Sequence, residues 1–180
     1  MLKKFETFTF GDLDDYVKND LEDDLSYYQG EYEFSEDLEE DMKEIAENAI
    51  DYFNTKLPIF KNIHVQFVEK LHSDTLGMYI HESVLKTPVI LISRKAMKEC
   101  EEDYGLDLVI RTTIFHELGH AIADLDNQFV WIENENILNF DDEEVFAEDF
   151  AFNIDMFGEI PEDVEKLMDY YKNHKTLGVE

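Results

Sequence analysis

Apolar residues recur with a helical period along most of this chain, and the period breaks in the middle into alternating and continuous apolar runs. Leu38, Met42, Ile45, Ala49 and Phe53 make one stripe at three- and four-residue spacing. The spacing predicts a helix over about 36–54, with Ser35 as its N-cap, Glu36 and Asp37 at the positive end of its dipole, and Pro58 shortly beyond its end. Ile63, Val65 and Phe67 alternate with His64 and Gln66, the period of a half-buried strand over 63–68. Residues 77–83 read as a second strand. The run PVILIS at 88–93 reads as a third, buried on both faces or placed at an edge.

A short helix over about 94–103 is ended by Gly105, after which Leu106, Val109, Ile110, Ile114, Leu118 and Ile122 restore helical spacing over 106–124. Residues 127–140 mix aromatic and acidic side chains without a period and are expected to form an irregular connection. Over about 142–157 the spacing returns with Phe146, Phe150 and Phe157, and Gly158 punctuates it. Pro161 suits the first turn of a last helix whose Val164, Leu167, Met168 and Tyr171 face inward. In the leading segment, Leu13, Val17, Leu21 and Leu25 fall near helical spacing. These elements predict an α+β fold with about three strands, one core, and an acidic helical N-terminal extension over 1–34 ahead of a domain over 35–180.

Charge changes the picture of partners. The formal net charge is -29, and it is concentrated at the ends. Acids outnumber bases 18 to 4 in residues 1–51 and 17 to 3 in 124–180, but only 9 to 8 between them. Such a field repels phosphate backbones and anionic membrane surfaces, which argues against nucleic-acid and membrane partners and fits a cationic substrate or partner. Solubility is the plain alternative. Cys100 is the only cysteine, so no intramolecular disulfide and no cysteine-rich metal site can form, and any metal must be held by histidines and carboxylates. The first residues lack an apolar signal region, and no stretch reaches the roughly 20 apolar residues of a membrane span. Cytoplasmic residence is the expectation, with signal-independent export left open.

The chemistry concentrates in His116-Glu117-Leu118-Gly119-His120, an H-E-x-x-H run inside the helical pattern of 106–124. Residues four apart on a helix project to the same side, so both imidazoles reach one ion and Glu117 lies beside them. Zn2+ accepts imidazole and carboxylate ligands, and a catalytic site uses three protein ligands with the fourth position for water. The metal lowers the pKa of that water to about 7, and Glu117 is placed to accept its proton as general base. A chance match on an ordinary helix is the plain alternative. Against it stands Gly119, which costs about 1 kcal/mol relative to Ala inside a helix and asks for a reason such as the close approach of another backbone.

No third histidine follows at short spacing, so the third ligand comes from the acidic block 141–151, which offers Glu143, Glu144, Glu148 and Asp149. On one helix Glu144 and Glu148 share a side, with Ala147 and Ala151 small enough for close helix packing and Phe146 and Phe150 directed to the core. Glu144 is therefore the expected ligand. Glu148 is the expected carboxylate behind a ligand imidazole, and Asp124, one turn beyond His120, is a further candidate for that role. Glu143 and Asp149 are read as solvated acids at a helix N-terminus.

HELGHAIAD followed by EVFAEDFA resembles the family of the anthrax lethal factor catalytic domain among bacterial and phage zincins, where Glu-x-x-Ala-Glu follows H-E-x-x-H. The first Glu of that pattern is the family's third zinc ligand and falls on Glu144, and the second falls on Glu148. The block is also similar to ImmA/IrrE-type regulatory metallopeptidases, whose Glu-x-x-Ala-x-x-Phe-Ala pattern puts its ligand on Glu144 and matches Ala147, Phe150 and Ala151. The resemblance covers about residues 60–158. It implies a zincin-like domain with a mixed sheet beside the active helix, gluzincin-type zinc peptidase activity of narrow range, and a sheet edge, at 77–83 or 88–93, that pairs with an extended peptide. The lethal-factor family places a tyrosine just ahead of its ligand glutamate, whereas Ile137 to Phe140 contain none. Tyr79, His81, Tyr170, Tyr171 and His174 are the remaining candidates for stabilising an oxyanion, each with an ordinary structural reading beside it. A different class of function fits the charge: a non-catalytic zincin-like scaffold, or an acidic mimic that occupies a basic surface on a partner.

Overall fold

A computed structural model describes residues 36–60, 62–71, 75–80, 88–133, 137–138 and 140–174. The expected N-terminal helix, the Ser35 cap and the far end of the second strand lie outside these residues. Helix α1 spans Glu36–Lys56, followed by β1 (His64–Val68), β2 (Gly77–Ile80) and β3 (Val89–Ser93). Then come α2 (Arg94–Tyr104), α3 (Leu106–Glu133), α4 (Glu143–Phe152), a π-helical turn (Asn153–Phe157) and α5 (Glu162–His174). The architecture is α+β, with a small three-stranded mixed sheet of order β1-β3-β2.

The strand order explains the apolar run. β3 pairs in parallel with β1 and antiparallel with β2, so it is central, and every residue from Val89 to Ser93 is buried. Ser93 ends the strand and begins α2: its hydroxyl accepts a hydrogen bond from the Ala96 amide at 3.1 Å, satisfying one of the free donors of the first turn. Gly105 closes α2 with φ +81°, a conformation that costs a side-chain-bearing residue dearly.

Helix α3 is the hub, touching α1, α2, α4, β2 and β3. Its Ile110, Ile114, Phe115, Leu118 and Ile122 are wholly buried, on more than one face, as expected of a helix enclosed by neighbours. Phe53 of α1 stacks on Phe60 and meets Phe150 of α4 edge-on at 6.3 Å, tying the first and fourth helices over one core. Burying such a ring stabilises the fold by about 1.5–3 kcal/mol. Val164, Leu167 and Met168 of α5 are buried as the sequence spacing predicts, while Tyr171 is half-buried.

One expectation is corrected. Residues 127–133, read as irregular, continue α3 without a break to Glu133. Just ahead of this part lies Asp126, fully buried, whose carboxylate accepts the Ile137 amide at 2.9 Å and the Leu138 amide at 3.2 Å. A polar residue on the buried face erases the apolar period that marks a helix in sequence, and its two acceptors pin the chain segment leading to α4. Among the described residues, no helix is long and apolar enough to cross a membrane.

Candidate metal centre

Gly119 meets the reason its presence demands. A Cβ built there lies 2.8 Å from Cα of Ala147, closer than side chains approach backbone, so α3 and α4 cross with almost nothing between them. This contact brings the first turn of α4 beside the exposed side of the H-E-x-x-H turn. Asp142 caps α4 by accepting the Glu144 amide at 3.0 Å, which fixes where that turn begins.

The two helices deliver three donors to one point. Nε2 of His120 lies 3.1 Å from Nε2 of His116, and the Glu144 carboxylate sits 3.4 Å from the first of these histidines in the chain and 3.5 Å from the second. The carboxylate straddles the imidazole pair, Oε2 toward His116 and Oε1 toward His120, and with one atom taken from each residue the three donors lie within 4.8 Å of one another, near enough to share one ion. His116, His120 and Glu144 form the one such cluster among the described residues. Burial, followed by the neighbouring His120, holds the His116 imidazole below its usual pKa, outweighing the opposite pull of Glu144 and Glu148. The neutral imidazole it favours is the form that binds a metal.

A carboxylate with no expected role stands behind one of the two imidazoles. Nδ1 of His120 faces Oε1 of Glu143 at 2.8 Å. Glu143, read as a solvated acid, is the first residue of α4, where its side chain turns back across the helix start to His120. Only the crossing angle of two helices sets this reach, and no spacing in the sequence reports it. Glu148 instead lines the cleft as an exposed acid whose charge bears on His116. Asp124 is buried and accepts the Tyr79 hydroxyl at 3.0 Å.

Glu117 is 6 % exposed, and the Tyr79 amide donates to its Oε2 at 2.7 Å. Tyr79 thus fastens β2 to α3 at two points, its amide on Glu117 and its phenol on Asp124 two turns further along. Gly77 permits this closeness: a Cβ there would lie 2.5 Å from Cγ2 of Thr113 and 2.8 Å from Oε1 of Glu117. Sequence reading gave Gly77 no role, because its reason is another element passing beneath it. β2 lies at the sheet margin, and with Thr75 and Leu76 it walls a cleft of about 880 Å³ whose floor holds His116, Glu117 and His120. Tyr79 lines this cleft, whereas Tyr170 and Tyr171 on α5 do not; His81 and the His174 side chain lie outside the described residues.

Burial pushes the Glu117 carboxyl up to about 7, against the downward pull of His120 and of the Tyr79 amide. The folded protein therefore favours the neutral form. This contribution to stability is complete below the ordinary value of 4.5 and is lost as pH rises through about 7. In metal-free protein, the stability of the wild type relative to Glu117→Gln should fall by about 3 kcal/mol between pH 4 and pH 8. Denaturant titrations at both pH values measure it, and a difference independent of pH would refute the burial account.

Compared with protein-family models, with curated proteins and with solved structures, the chain matches none.

Proposed function

We propose that this chain is a gluzincin-type zinc peptidase, with His116, His120 and Glu144 as metal ligands and Glu117 as general base. The observation that carries the reading is the convergence of the His116, His120 and Glu144 donors beside the buried Glu117. The H-E-x-x-H run and the Glu144-x-x-Ala147-Glu148 pattern support it, and the zincin-like reading of the fold rests on the same residues.

When bound, zinc supplies Lewis acidity, polarising a peptide carbonyl and lowering the pKa of water to about 7. Glu143 holds the Nδ1 proton of His120, which leaves the Nε2 lone pair for the ion. Glu117, steadied at Oε2 by the Tyr79 amide, takes the proton of the attacking water at Oε1 and returns it to the departing amine nitrogen. The margin of β2 offers main-chain groups for an extended peptide, and Tyr79, whose amide and phenol both donate to α3, positions Glu117 rather than an oxyanion. The acidic surroundings fit cationic substrates.

Purified protein should retain one zinc per chain against a competing chromophoric chelator, and His116→Ala or Glu144→Ala should lose it. Cleavage across a panel of cationic proteins should stop with chelator and return with zinc. Absence of zinc uptake by the wild type would end this reading. The acidic flanks support a second one, a non-catalytic scaffold or acidic mimic on a basic partner surface, and zinc bound without any cleavage would favour it.

A further inference from the structure

Helix α4 is buried along Phe146, Ala147, Phe150 and Ala151, with Ile154 continuing that face into the π turn. Its other side is unusual for so acidic a protein. Val145, Phe152, Met156 and Phe157 are 53 %, 56 %, 60 % and 60 % exposed, four large apolar side chains on one stretch of surface. Val145 and Phe152 lie two turns apart on one face. The π turn, with its extra residue per turn, brings Phe157 round to the same side, where its ring meets Phe152 edge-on at 5.5 Å. Contiguous exposed apolar surface of this kind marks a binding site more often than an ornament of the fold.

The rim says what binds. Glu148, Asp149 and Glu159 stand exposed around the stripe; of the cations beside it, Arg111 is held by Asp107 and Asp155, and Lys56 lies next to Gly158, so acids outnumber free bases there. A second copy of this chain would bring the same negative rim and be repelled, as would an anionic lipid surface. An apolar segment flanked by lysines or arginines is complementary in both respects. Phe152 and Glu148 belong both to this surface and to the lining of the metal cleft, so the stripe continues the path of a chain leaving the cleft.

We propose that the stripe Val145–Phe152–Met156–Phe157 docks an apolar, lysine- or arginine-flanked segment of the protein substrate, beside the bond to be cleaved. The identity of the occupant as substrate rests on the peptidase reading; the surface and its chemistry do not. Fluorescence anisotropy at physiological ionic strength tests it on full-length Glu117→Gln protein with three labelled peptides: leucines at helical spacing with lysines, the same lysines with serines, and the same leucines with glutamates. The leucine–lysine peptide should bind, the leucine–glutamate peptide should not, and Met156→Ser/Phe157→Ser should weaken binding by about tenfold or more. Tyr104→Ser, equally exposed at the end of α2, should leave binding unchanged. Equal binding by the double variant, or equal binding of the serine–lysine peptide, would overturn the proposal. In otherwise wild-type protein the double variant should raise KM for the leucine–lysine peptide and keep kcat. Peptide binding with no cleavage by the wild type sinks the peptidase reading alone, and cleavage with KM unmoved in the double variant sinks the docking surface alone.

Discussion

Glu117→Gln is expected to lower kcat by about 10³-fold while one zinc per chain remains bound, a loss of about 4 kcal/mol of transition-state stabilisation. Gln has the shape of Glu and keeps an oxygen that accepts the Tyr79 amide, so the fastening of β2 to α3 survives the change. What disappears is the capacity to hold a proton. The proposed ligands are His116, His120 and Glu144, and Glu117 is not among them, so metal stoichiometry is the internal control. Steady-state cleavage of a cationic peptide, with zinc measured on the same samples, decides the matter. Activity within tenfold of wild type would remove Glu117 from the chemistry, and loss of zinc would show that the residue acts on the site's construction instead.

Gly119→Val is expected to damage folding and metal binding together. Two side-chain methyls and a Cβ would enter a space where the Cβ alone lies 2.8 Å from Cα of Ala147 and 3.3 Å from its carbonyl oxygen. A helix gains several tenths of a kcal/mol when glycine leaves it, but forced overpacking against backbone costs about 1–3 kcal/mol, and here no flexible side chain can yield. The relief available is for α4 to move off α3. Glu144 sits one turn before Ala147, so the same movement withdraws the third donor from the imidazoles. We expect a net loss of about 2 kcal/mol by denaturant titration and zinc affinity weakened by about a hundredfold by chelator competition, an effect of the size that disturbing a metal ligand's supports produces. Wild-type zinc affinity in a destabilised Gly119→Val protein would mean that Glu144 does not depend on this crossing.

Much of the fold was legible along the chain because its helices are one-sided and its strands are short and strongly apolar. Leu38 to Phe53 predicted α1 almost to its ends, and PVILIS predicted a strand either buried on both faces or at an edge, of which the structure takes the first. α3 was read short because Asp126 interrupts its inner face, and a buried carboxylate taking two backbone amides looks in sequence like a surface acid. The part of Glu143 was hidden for a related reason: several acids lie on one helix, and which of them meets His120 depends on how that helix crosses its neighbour. Tyr79 was named among several aromatic candidates, but nothing near it in sequence announced that its amide would reach Glu117.

The sequence by itself determined the two imidazoles and the glutamate between them, since a helix repeat converts a spacing of four into a shared face. It also determined that Gly119 and Ala147 were small enough for two helices to close, and that any metal here is held by nitrogen and oxygen. Only the tertiary structure decided that the Glu144 carboxylate stands against both imidazoles, that Glu143 meets His120, and that β2 lies over Glu117. Those facts depend on the relative placement of segments remote in the chain, which is set by the packing of many side chains at once and leaves no local periodicity to read.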